Sequence, residues 1–303
     1  VADVGARPVV AAFDVGGTRV KAALVDRDLD VIATVTVPTP ADIAVDAGAA
    51  LRPVLDTLRA RAAGTTVVGA GLAVPGLVDD ATGTGILSVN LGWRDQPLGD
   101  QLTAAFGLPC VVGHDVRAGL LAEQRVGAAA GAANVLFVPV GTGIAAALMV
   151  DGRVLRAGGW AGEIGHAVVD PDGHPCPCGA RGCLETIASA SAVARRYAER
   201  TGRPVDAADV AALVRDGDET AGEVWHAAVD ALAAVLCTTL TATGIDRVIV
   251  GGGLVLSGDL LLVPLRRAVE QRMTLGRRPQ IVASRLLDQA GCLGAAVLAW
   301  DAA

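Results

Sequence analysis

The chain has 303 residues, 52% hydrophobic and 19% charged, with a formal net charge of −7. This excludes a disordered chain, suits two domains of roughly 100–200 residues, and speaks against a basic nucleic-acid-binding face. Aromatic residues make up only 3%, so Ala, Val and Leu must build the core, and the single lysine, Lys21, reflects coding bias rather than chemistry.

Val9–Phe13 reads as a short buried strand, broken by Asp14-Val15-Gly16-Gly17-Thr18, and Val20–Val25 and Val31–Val37 continue in strand character. Asp42 to Ala63 has helical spacing, and Val67–Val74 is a buried strand closed by Pro75-Gly76. The strand–glycine turn–strand unit recurs at Val135–Val140, Gly141-Thr142-Gly143 and Ile144–Val150, with Asp151-Gly152 as a hairpin signal before Val154–Leu155. Arg247–Val250 then runs into Gly251-Gly252-Gly253, and a helix over Asp259–Met273 follows, capped by Ser257 or Asp259. Gly127–Ala133 loosens the chain, which divides into an N-terminal α/β domain over 1–120 and a larger one over 121–289; a C-terminal helix over about 290–303 packs back on the first.

The apolar stretch Asn134–Val150 is interrupted by Pro139, Gly141 and Gly143, short of the roughly 20 unbroken residues of a membrane span. The first residues carry Asp3, Arg7 and Asp14 and do not form a signal peptide, so the cytoplasm is expected. Cys110, Cys237 and Cys292 stand singly in apolar settings and read as buried reduced thiols.

Three glycine-rich turns after apolar strands let the backbone point successive N–H groups at phosphate oxygens. No P-loop pattern and no G-x-G-x-x-G after the first strand is present, which removes those two nucleotide folds. Asp14 beside the first turn would repel a phosphate unless a cation such as Mg²⁺ intervened; the plainer alternative is a turn cap. Cys176, Cys178 and Cys183 lie close together, and with one histidine, His166 or His174, they make a soft donor set for a tetrahedral structural Zn²⁺. Glu163 and Glu185 flank that segment; if zinc fixes it, both carboxylates are held rigidly enough to pair with sugar hydroxyls. Asp115 ends the apolar run Val111-Val112-Gly113-His114, where α/β folds place ligand-binding residues, although a helix N-cap is the equal alternative.

Taken together these residues resemble the ROK family (repressor, open reading frame, kinase), and its bacterial glucokinase branch in particular. Asp14-Val15-Gly16-Gly17-Thr18 looks like the family's first phosphate motif. Gly162-Glu163-Ile164-Gly165-His166, Cys176-Pro177-Cys178-Gly179 and Gly182-Cys183-Leu184-Glu185 look like its zinc-and-sugar motif. The resemblance implies an α/β, actin-like (ribonuclease-H-like) ATPase fold of two domains with the active site in the cleft between them. It implies Asp115 as catalytic base, and Asn90, His114, Glu163, His166 and Glu185 as acceptor-binding residues. Asp14, Gly16, Gly17, Thr18, Gly141, Thr142, Gly143, Gly252 and Gly253 would serve ATP, and His166, Cys176, Cys178 and Cys183 a structural Zn²⁺. ATP, catalytic Mg²⁺ and a homo-oligomer, dimer or tetramer, are implied as well.

Two departures stand at the base. Where the family has Asn-Asp-x-Asn, this chain has His114-Asp115-Val116-Arg117, which puts glucose itself in question and points to an amino sugar or a cyclitol as alternative acceptors. Arg117 would oppose a cationic acceptor if it faced the pocket; the plainer reading is a solvated helix arginine. The leading expectation is an ATP-dependent kinase acting on a primary hydroxyl of a hexose or hexose-like acceptor. A ROK-type transcriptional regulator is weaker, with eight residues before the first strand and an acidic chain, and so is an idle sugar sensor, which would not need Asp115.

Overall fold

The structure is a computed structural model that describes residues 6–303. The chain folds into two compact units. The first runs to Val126 and takes in Arg156–Trp160 and Gln289–Ala303; the second is Gly127–Leu155 with Ala161–Asp288.

Unit one contains, in order, β1 (Arg7–Val15), β2 (Arg19–Val25), β3 (Val31–Pro38), α1 (Ala47–Arg61), β4 (Thr65–Val74), β5 (Leu77–Asp79), β6 (Thr84–Ser88), β7 (Trp93–Gln96), α2 (Leu98–Phe106), β8 (Cys110–His114) and α3 (Asp115–Val126). Its main sheet has the order β3-β2-β1-β4-β8, with β1, β4 and β8 parallel and β2 and β3 antiparallel. Val9 to Phe13 of β1 are fully buried, as a central strand covered on both faces requires. Unit two contains β9 (Val135–Pro139), β10 (Ala147–Val150), β11 (Arg153–Val154), α4 (Glu185–Ala188), α5 (Ala190–Thr201), α6 (Ala207–Arg215), α7 (Glu219–Thr243), β12 (Arg247–Gly251), α8 (Asp259–Arg272) and β13 (Gln280–Ala283). Its sheet has the order β11-β10-β9-β12-β13, again an antiparallel hairpin side followed by parallel strands. The repeated strand–turn–strand unit in the sequence is thus the opening of two sheets of like topology. The chain closes with α9 (Ala290–Ala302), whose alanines and glycines pack in unit one on β1, β4 and α3.

Several boundaries differ from the sequence reading. The helix expected from Asp42 starts at Ala47, because Asp46 caps it through Ala49 N–H at 3.0 Å while the Asp42 carbonyl closes a preceding turn. The strand expected from Ile144 starts at Ala147, because Ala146 N–H bonds to the Gly162 carbonyl outside the sheet. Neither Ser257 nor Asp259 caps α8; its N-cap is Gly258 at φ 63° and makes no side-chain bond. The β5-β6-β7 antiparallel sheet has no counterpart in the sequence reading. Cys292 is buried, but Cys110 and Cys237 are only half-buried. Among the described residues one helix, α7, is long and apolar enough to cross a membrane; half of its apolar window is buried, as in a core helix, with Val224, Trp225, Leu232 and Leu236 inside unit two.

Candidate active site and metal centre

In unit one the parallel register pairs Asp14 with Ala73 and Val74 with His114. Asp14 and the β8 end therefore lie along the same edge of the sheet, two strand spacings or about 10 Å apart. The first glycine turn closes through Gly16 N–H to the Arg19 carbonyl (2.9 Å), and Thr39 secures it by bonding the Gly16 carbonyl (2.6 Å) and donating its own N–H to Thr18 (3.1 Å). Asn90 sits beside Gly17, 3.7 Å from the place a Cβ would occupy there. The Asp14 carboxylate lies against Gly291 in the first turn of α9, where a helix N-terminus favours negative charge. The antiparallel register also sets Lys21 directly opposite Asp14, so the two side chains share a face. The sequence reading passed over Lys21; its being the only lysine was the available signal.

Asp115 is the first residue of α3. One carboxylate oxygen accepts Val116 N–H at 2.7 Å and lies 3.5 Å from Nε2 of the buried His114. The side chain keeps 31% of its surface exposed. Burial of the rest pushes its pKa up to about 6, against the opposing pull of the Val116 N–H and the Arg117 charge. A carboxylate with that affinity is ionised at neutral pH yet basic enough to take a proton. Arg117 is not solvated. Its side chain is 4% exposed and forks onto Asp80, with Nε and Nη2 at 3.1 and 3.0 Å.

In unit two Gly141-Thr142-Gly143 joins β9 to β10, with Gly141 N–H on the Gly143 carbonyl at 3.0 Å. The third turn, Gly251-Gly252-Gly253, lies beside it. Val140 donates to Gly251 (2.9 Å) and accepts from Leu254 (3.0 Å). Two glycine turns thus stand at the C-terminal ends of adjacent parallel strands, where α/β sheets bind ligands. No atom lies within 4 Å of a Cβ built on Gly141 or Gly253, so that flank is open within the unit.

The segment Gly162–His166 packs backbone to backbone on the stretch after the second turn. A Cβ on Gly162 would run into the Ala146 carbonyl and one on Gly165 into that of Ile144. Gly162 and Gly165 thus meet residues 146 and 144, and this docking fixes where Glu163 and His166 are presented.

His166, Cys176, Cys178 and Cys183 offer ligand atoms all within 4.8 Å of one another. The Cys178 and Cys183 sulfurs are 3.6 Å apart, and His166 Nδ1 is 3.6 Å from Cys176 Sγ. Tetrahedral Zn²⁺ with Zn–S of about 2.3 Å and Zn–N of about 2.0–2.1 Å places its ligand atoms about 3.5–3.8 Å apart, so the donor set fits a structural zinc. His174 stands outside it and pairs with Glu199 at 3.3 Å. Burial holds the Cys183 thiol up, whereas the Ala180 N–H pulls that of Cys178 down. Glu185 adjoins the cluster, with Oε1 3.2 Å from Cys176 Sγ and 3.6 Å from His166 Nδ1. Its Oε2 lies 3.1 Å from where a Cβ on Gly143 would stand. Glu163 approaches the other ring nitrogen of His166 at 3.9 Å.

Comparison with known proteins agrees with this geometry. The chain is 34% identical to a glucokinase of Halalkalibacterium halodurans, over 85% of this chain and 84% of that protein. It is 33% identical to an N-acetylmannosamine kinase of Yersinia pseudotuberculosis, over 95% and 97%. Its structure matches a ROK family glucokinase from Streptomyces griseus, solved with glucose and AMPPNP, at a TM-score of 0.83 and 29% identity, over 97% and 99%. With residues 10–302 matching the family pattern, two five-stranded sheets of the shared actin-like fold and a zinc-compatible Cys₃His cluster, this chain belongs to the ROK family.

Proposed function

We propose that the chain is an ATP-dependent kinase that phosphorylates a primary hydroxyl of a hexose or hexose-like acceptor. The observation that carries this reading is Asp115: a carboxyl at a strand end, with its proton affinity raised to about 6, in a family whose relatives include sugar kinases. Asp115 takes the acceptor's hydroxyl proton as the oxygen attacks the γ-phosphorus, and the bond from that phosphorus to the ADP oxygen breaks. Asn90, Glu163, His166 and Glu185 pair with acceptor hydroxyls. Thr18 and the N–H groups of Gly17, Thr142, Gly143, Gly252 and Gly253 receive the nucleotide, while Gly16 and Gly141, whose own N–H groups close their turns, let the backbone come close to it. Mg²⁺, which would travel with the nucleotide and offset phosphate charge, has Asp14 as its carboxylate on this chain. Zinc on the Cys₃His cluster is structural and holds the Glu163–Glu185 segment. A homo-oligomer, checked by light scattering, is carried over from the resemblance.

An ADP-release assay with ATP and Mg²⁺ across hexoses, amino sugars, N-acetyl sugars and cyclitols tests the reading. Turnover is expected within this panel, and none with any acceptor would contradict it.

His114 favours a second reading of the acceptor, an amino sugar or a cyclitol. Its buried ring presents donor and acceptor from nitrogens that point in different directions, unlike the single amide of an asparagine. Glucose is expected not to lead the panel in kcat/KM, and His114→Asn should move preference back toward glucose by roughly 10-fold or more, since misplacement on the ångström scale costs up to about 10² in rate. If glucose leads for the wild type, His114 does not set the acceptor.

A further inference from the structure

Arg117 stands two residues after Asp115, in the first turn of α3, and every arm of its guanidinium is engaged. Nε and Nη2 hold the Asp80 carboxylate, Nη2 also reaches the Val78 carbonyl of β5 at 3.1 Å, and Nη1 the Gly159 carbonyl at 3.4 Å. Asp80 is 12% exposed and takes a second guanidinium from Arg156 at 3.2 Å. Gly159 belongs to the short run Arg156–Trp160, which leaves the sequence neighbourhood of unit two to pack in unit one. Its φ of 93° and its approach to the Val78 carbonyl leave no space for a side chain. One buried arginine thus joins the start of α3, the end of β5 and this strap. A lysine has the charge but no fork for this geometry, and an asparagine has neither the charge nor the reach.

We propose that Arg117 is a positioning residue for Asp115: it locks the first turn of α3 onto β5 and the strap, and so holds the Asp115 carboxylate in place. The role of Asp115 as base rests on the proposed kinase reading; the lock itself does not. The charged groups around Asp115 within unit one are few; Asp14, with Lys21 opposite it, stands along the same sheet edge about two strand spacings away. His114 faces Asp115 at 3.5 Å from β8, and Arg117 lies on the same helix as Asp115 with Asp80 and Arg156 behind. Asp79 on β5 is turned to Ala81 N–H and the Thr82 hydroxyl. On α9 the only charge is Asp301, which pairs with Arg125 at the far end of α3. Arg117 is therefore the fixed positive charge closest along the chain to the carboxylate, and it opposes the effect of burial on its proton affinity.

The test compares Arg117→Lys, Arg117→Met and the double variant Asp80→Asn/Arg117→Met with the wild type. The double variant removes both charges, so it serves where a buried Asp80 left half-paired prevents the single variant from folding. Two readouts are taken: the carboxyl titration of Asp115 in the unliganded protein, by ¹³C NMR against Asp115→Asn controls, and the acid limb of kcat/KM. Arg117→Met should raise the Asp115 midpoint by about 0.5–1 pH unit, lowering kcat/KM about 2–6-fold near pH 6 with much of it recovered by pH 8; the double variant, which also loses the Asp80 charge, should move it in the same direction by less, and lysine should restore most of the shift. Lower thermal stability with the Asp115 midpoint unmoved would mean that Arg117 only braces the fold, and would overturn the proposal. Should Asp115→Asn keep full turnover, the base assignment fails instead, while the NMR midpoint still decides the role of Arg117.

Discussion

Asp115→Asn is expected to lower kcat by roughly 10²–10⁴-fold while leaving acceptor affinity largely intact. Asparagine keeps the size of the side chain and an oxygen for the Val116 N–H, but it takes no proton at working pH. The wild-type kcat/KM should fall on the acid side with an apparent midpoint near 6, the value to which burial lifts this carboxyl. The same shift makes an opposite prediction for stability. A carboxyl whose folded-state pKa lies above its unfolded value disfavours the folded state once it ionises. The cost is absent below the unfolded value of 3.8, grows from there to about 6 and is complete above it. Asp115→Asn should therefore be more stable than the wild type at neutral pH, by at most about 3 kcal/mol and by less once the 31% exposure is counted, with the gain vanishing below pH 4. Denaturant melts at pH 4 and pH 7.5, set beside the rate profile, check both halves. Near-normal turnover in the variant would remove Asp115 as the base.

Zinc loss should act on stability and on acceptor binding together. One Zn²⁺ per chain is expected to copurify, and Cys178→Ser, at the exposed member of the cluster, should lose it without emptying core volume. Glu163 and Glu185 both approach His166, and Glu185 also touches Cys176, so an unligated cluster frees the carboxylates expected to grip the acceptor. The expected result is a fall in Tm of about 10 °C, the size of a loss of about 3–4 kcal/mol in a unit of this length, and a KM for acceptor raised roughly 10-fold or more. Fresh, active protein without zinc, or a Cys178→Ser variant with unchanged Tm and KM, would contradict this.

The glycine turns and the cysteine cluster were legible in the sequence because their chemistry is local. A strand, a glycine break and a second strand mark the start of each sheet, and Cys-Pro-Cys-Gly can close on itself without distant help. Spacing left His166 and His174 as alternatives; the fold separates them, since His166 is brought to the sulfurs by a loop docked on residues 144 and 146, far from it in sequence. Arg117 was misread for the same reason. A charge on a helix is ordinarily solvated, and nothing near it in the chain announces that Asp80 and the 156–160 strap will enclose it. Lys21 becomes notable only when the strand register sets it against Asp14. The β5-β6-β7 sheet escaped notice because its strands are short and carry polar residues such as Asp79, Thr84, Arg94 and Gln96, so no hydrophobic period develops.

The most direct test of the kinase reading is the ³¹P NMR spectrum, without proton decoupling, of the wild-type protein incubated with ATP, Mg²⁺ and the best acceptor of the panel. The account predicts a new phosphomonoester signal split into a triplet by the two protons of a primary carbinol, growing with ADP and absent with Asp115→Asn. Inorganic phosphate as the only new signal would contradict the kinase reading, and a doublet, from a secondary carbinol such as those on a cyclitol ring, would contradict the primary-hydroxyl assignment.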